Sequence, residues 1–190
     1  MKLLALVLAG VLALAACGGG EADTPAKNLY GTYRSTEDRR NAAEQRLRQA
    51  FSDLAAAAER QSRGEALAAV ERGRSAATEV DDLLAAEIEA AEGVEDFDFL
   101  SQSARDLRTG LGTSRRGLAL FVQQLEIALE DPFLAVAANA ARVDELAGRA
   151  ASLSTDGELL VRRADRALAV ALGIEPRLDP VLDAPTTTAG

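Results

Sequence analysis

The chain has 190 residues and a net charge of −9, with one cysteine and no histidine or tryptophan. A length of this order fits one domain, and a lone cysteine allows no internal disulfide, so packing alone must hold the fold. Without histidine, di-iron Glu-x-x-His sites, His-ligated zinc or haem and Ser-His-Asp hydrolysis lack a ligand or a base, and an acidic chain lacks the positive field that nucleic acid requires. No catalytic, cofactor or metal site is therefore assigned, and no nucleic-acid partner is expected.

In chain order, Lys2 gives a short positive start and Leu3 to Leu14 run without a charge. Ala15 and Ala16 follow, and the pattern is that of an export signal. The apolar run is too short for a membrane span, which needs ~20 residues. Leu14-Ala15-Ala16-Cys17 resembles the lipobox of bacterial lipoproteins. That resemblance implies cleavage before Cys17, lipid on its sulfur and removal of residues 1–16. Two or three acyl chains would hold the protein where one chain anchors only marginally. It also implies an extracytoplasmic protein anchored to a bacterial membrane. Gly18, standing where an aspartate would retain enterobacterial lipoproteins, implies the outer membrane if the source has one.

Residues 17–34 read as a lipidated flexible tether, with the three glycines Gly18 to Gly20, Pro25 and no sustained period. Tyr30 and Tyr33 are expected to pack on the fold rather than bind a ligand. Residues 35–173 read as an all-α, elongated up-down antiparallel bundle of four to five helices. Ser35 or Thr36 is the expected first N-cap, and Ala43, Leu47, Phe51, Leu54 and Ala58 form one apolar stripe. Gly64 is the expected stop. The second helix carries Leu67, Val70, Ala77, Val80, Leu84, Ile88 and Ala91 and is expected to end near Gly93. The third runs from about Asp98 to Glu130, with a near-heptad seam of Leu100, Ala104, Leu107, Leu111, Ser114, Leu118, Phe121, Leu125 and Ala128.

Asp131 and Pro132 suit the N-cap and N1 positions of a fourth helix, with Phe133, Val136, Ala140, Val143, Ala147 and Ala150 as its stripe. Ser152 to Gly157 interrupts the pattern, and Thr155-Asp156-Gly157-Glu158 resembles a capping box. One kinked rod and two separate helices both remain open here. The last helical stripe, from Leu160 to Ala171, ends at Gly173 and Pro176. Residues 174–190 form a Pro-rich, partly disordered tail in which Ile174, Leu178, Val181 and Leu182 suit a bundle groove. Alanine-rich seams predict a narrow core without room for a large cofactor.

Two features stand out from the helical pattern. Between Ser75 and Ala104 there is no Lys or Arg, but nine acids run from Glu79 to Asp98. The plain reading is a solvated face; arginines from other helices, a divalent cation or a basic partner would compensate it. Glu95-Asp96-Phe97-Asp98 lacks the glycine and spacing of an EF-hand loop. Phe97, Phe99 and Leu100 are expected to plug one end of the bundle. Gly110 and Gly117, seven residues apart on one helix face, predict close helix contact, since glycine in a helix costs up to ~1 kcal/mol over alanine.

The sequence thus points to a lipid-anchored envelope protein, non-enzymatic, acting as a helical interaction or structural module. Its expected partners are the membrane, through Cys17, and a protein or cell-wall component. A small-ligand binding or sensing lipoprotein is the alternative, and a carboxylate-only hydrolase is the least favoured.

Overall fold

Four α-helices make up nearly all of residues 23–177, which the computed structural model describes, and no strand occurs among them. They are α1 (Asp23–Glu59), α2 (Arg63–Glu95), α3 (Ser101–Glu130) and α4 (Ala137–Ala171). At 1.5 Å per residue they are roughly 45 to 55 Å long. The turns between them are short, so neighbours run antiparallel and the all-α up-down bundle is as expected. No described helix is long and apolar enough to cross a membrane. Cys17, the export signal and the start of the tether lie outside the described residues, as do Leu178, Val181 and Leu182.

α1 begins twelve residues before the expected Ser35, so residues 23–34 are helix rather than tether. Ala26, Tyr30 and Tyr33 extend the buried stripe of Ala43 and Leu47 toward the N-terminus. Burial of two tyrosines outweighs the poor helix propensity of Gly31, and Pro25 falls in the first turn, where its missing N–H costs little. Ser35 and Thr36 are not caps. Their hydroxyls both donate to the Thr32 carbonyl, one turn back. Gly64 lies in the first turn of α2, and Gln61, at φ 53, makes the break instead.

Most of the α3 seam is as read: Leu100, Ala104, Leu107, Leu111, Leu118, Leu125 and Ala128 are buried, whereas Ser114 and Phe121 are half-buried. The following helix differs from expectation. Asp131 and Pro132 do not start it, because Leu134 turns left-handed at φ 49 and stops any helical run from Pro132. Asp131 instead organises the loop: its carboxylate accepts from the backbone N–H of Ala135 and Val136 and from the Asn139 amide. Those bonds hold its pKa below the ordinary range. Phe133 and Val136 are exposed, and Leu146 is the residue that fills the seam.

α4 is one continuous helix through Ser152 to Gly157. Gly157 is buried there against α3, and a Cβ on Gly110 would lie 2.9 Å from both the Gly157 carbonyl and the Val161 nitrogen. Two facing glycines let the α3 and α4 backbones touch, which a turn at this position would prevent. Glu158 bonds Arg162 rather than closing a capping box. Gly117 joins the same seam, with Ser154 and Ala150 opposite. α4 ends as expected at Gly173, at φ 65, and the Ile174 N–H closes back onto the Ala169 carbonyl at 2.8 Å.

Candidate functional site

α1 packs on α2, α2 on α3, and α3 on α4, but no Cα of α1 comes within 8 Å of α4. The first and last helices stand apart, and the gap is a cleft of about 580 Å³, within the usual range for small-molecule sites. This departs from the narrow core that the alanine-rich seams predicted. Glycine closes the α3–α4 seam, whereas Tyr30 reaches across the α1–α4 face and Arg34 and Arg177 tie α1 to the chain beyond α4. Its floor is apolar: Val80 and Leu84 of α2 and Leu118 of α3. One end is aromatic, where Phe51 of α1 and Phe121 of α3 meet at 5.7 Å between ring centroids.

The other end is polar and braced. The Tyr30 hydroxyl reaches from α1 to α4, 2.5 Å from Asp165 Oδ1 and 2.9 Å from the Asp165 carbonyl. Burial and the Asp165 carboxylate push the Tyr30 pKa up, so the phenol stays a donor. Tyr33 stacks on Tyr30, and its buried hydroxyl has no hydrogen-bond partner among the described residues. The chain after α4 then returns to α1. Arg34 donates to the Glu175 carbonyl, while Arg177 bonds Glu37 at 2.5 Å and Asp38 at 3.2 Å. Burial raises the Glu37 pKa against the pull of Arg177.

The walls carry charge at four-residue intervals: Arg40, Glu44 and Arg48 on α1, and Glu158, Arg162 and Arg166 on α4. Arg40 is fixed from below. Its Nε lies 3.0 Å from both oxygens of Glu87, whose side chain is 0% exposed, and its Nη1 lies 2.5 Å from Glu44. Burial pushes the Glu87 carboxyl up to about 7, with Arg40 working the other way. The pair holds the guanidinium in the cleft wall.

The acidic run from Glu79 to Asp98 does not converge on a site. Arginines from neighbouring helices disperse it: Glu79 pairs with Arg46, Asp81 with Arg115, Glu87 with Arg40, and Glu92 and Glu95 with Arg108. Among the described residues no group of three or more His, Cys, Asp or Glu is arranged to hold a metal ion. Leu100 is buried and Phe97 packs on the core, so both plug the bundle end as expected, whereas Phe99 is exposed. Leu29 of α1 lies against Gly93, so the acidic turn sits beside the N-terminal end of α1. The sequence reading missed the cleft and the Arg40–Glu87 pair. The one available signal was the four-residue spacing of charge on both walls. No family model matches the chain, and neither does any curated protein or solved structure.

Proposed function

We propose that this protein is a lipid-anchored, extracytoplasmic binding module of a bacterial envelope, without catalytic activity, whose ligand enters the α1–α4 cleft. The observation that carries the binding site is the cleft itself, an open gap with an apolar floor in a bundle whose helices close only against their neighbours in sequence. The anchor rests on the lipobox resemblance at Cys17. The wall carboxylates are engaged by Tyr30, Arg40, Arg162 and Arg177, which suits a braced wall more than an acid–base pair waiting for substrate. A second reading, docking of a protein partner, is favoured by Leu129, Phe133 and Val136, exposed apolar residues around the α3–α4 turn.

Replacing Cys17 with Ala should move the protein from the membrane to the soluble fraction; an unchanged distribution would contradict the anchor. In cells, a photo-crosslinking residue at Asn41, in the cleft, should capture a ligand or partner, while one at Phe133 should not. Adducts only at Phe133 would favour the second reading, and none at either site would contradict both.

A further inference from the structure

We infer that the cleft takes an elongated amphiphile, its apolar body lying toward Phe51 and Phe121 and a single anionic head group lying at the arginine end. This rests on the reading of the cleft as a binding site and names the ligand class. The cleft is graded along its length. Leu47, Phe51, Val80, Leu118 and Phe121 give one part an apolar surface, with the exposed Arg48 on its rim, whereas Arg40, Arg162, Arg166 and Arg177 gather toward the other, beside Glu37 and Asp165. A polar ligand of compact shape would leave the first part unfilled, and a plain hydrocarbon would leave the second unused.

The dimensions agree. Fourteen residues separate Glu37, beside Arg177, from Phe51 on the straight wall of α1, a run of about 21 Å. An acyl chain that fills one leaflet of a ~30 Å hydrocarbon core is about 15 Å long, which leaves room for a head group.

The charge also agrees. The chain as a whole has 30 acids against 21 basic residues, yet arginines outnumber carboxylates by one among the residues that line the cleft, with Glu87 beneath Arg40. A planar guanidinium offers two parallel N–H groups to a carboxylate or phosphate. Arg40 is held in place by the buried Glu87. Arg162 is paired with Glu158 on the exposed rim, and such exposed pairs are weak, so a ligand anion can share that guanidinium. Carboxylate and phosphate heads present the same chemistry, and the test uses the carboxylate.

The experiment titrates the full chain carrying Cys17→Ala with cis-parinaric acid and with the matched alcohol, following polyene fluorescence. The expected result is saturable binding at one site per chain, at least tenfold weaker for the alcohol. Arg162→Ala with Arg166→Ala should weaken the acid about tenfold and leave the alcohol unchanged. Phe121→Asp should abolish both, and Phe121→Leu should restore them. Circular dichroism melts of each variant separate lost binding from lost folding. No saturable binding of the acid overturns the inference. Equal binding of acid and alcohol, both lost in Phe121→Asp, overturns the anionic head while the cleft stands as a binding site. Binding indifferent to Phe121→Asp in a folded variant overturns the site as well. Binding that appears only when the residues after Arg177 are deleted overturns the free ligand in favour of the chain's own C-terminal stretch.

Discussion

The two faces of α4 are built on opposite rules. Toward α3 it presents Gly157 and Ala150, and the backbones meet so closely that a Cβ at Gly110 would strike carbonyl and amide atoms. Toward α1 it presents Asp165, Arg162 and Arg166, and the gap is bridged by the Tyr30 hydroxyl and by the returning chain, through Arg34 on the Glu175 carbonyl and Arg177 on Glu37. Side-chain size at the seam sets helix separation. The same helix can therefore seal one boundary with hydrogen atoms for side chains and prop another open with long polar ones. The open face is costly to brace, since Arg40 needs a carboxylate buried in the core.

The comparison is tested first at that brace. Arg40→Leu removes the partner that favours the Glu87 carboxylate; the wild-type group already stands at about 7, so proton uptake caps the added loss through Glu87 at about 1 kcal/mol near pH 7.5, read by chemical denaturation. The loss should shrink near pH 5, where Glu87 is protonated in either protein. The wild-type protein should show the same group in its own pH dependence. Burial raises the Glu87 carboxyl from 4.5 to about 7, so between those values the folded state keeps a proton that the unfolded chain releases. Its contribution is complete below pH 4.5 and is lost as pH rises through about 7, by up to ~3 kcal/mol. Denaturation midpoints that rise across this window would contradict the assignment.

The sealed face gives the next effect. Gly157→Val places a branched side chain against the Gly110 and Ser114 backbone, and overpacking of this kind should cost about 3 kcal/mol, seen as a lower thermal midpoint. Gly112, in the same helix as Gly110, has nothing within 4 Å of where a Cβ would lie. Gly112→Ala should therefore stabilise by up to ~1 kcal/mol. If the two substitutions moved the midpoint in the same direction, close contact would not be what keeps glycine in the α3–α4 seam.

Much of this was readable in the residues. The α3 stripe from Leu100 to Ala128 named most of the buried face, though Ser114 and Phe121 on it are half-buried, and the seven-residue spacing of Gly110 and Gly117 pointed to a close seam. Period alone was less informative where one residue type serves two roles. Gly157 looked like a turn because glycine ends helices as readily as it admits a neighbouring backbone, and its partner Gly110 lies 47 residues away in sequence. The N-terminal twelve residues of α1 were missed because Tyr30 and Tyr33 are helix-forming only through the burial they gain against α4. The cleft was hidden for a related reason. Periodicity reports which face of a helix is turned inward, and says nothing of the distance between two helices that are not neighbours in the chain.

The clasp of Arg177 on Glu37 joins residues 140 positions apart, while the α1–α2 and α3–α4 pairs are hairpins of local contacts. Loop-closure entropy makes distant contacts slow to form and local ones fast. The two hairpins should therefore assemble early, and the cleft, whose walls are the first and last described helices, should be completed late in folding.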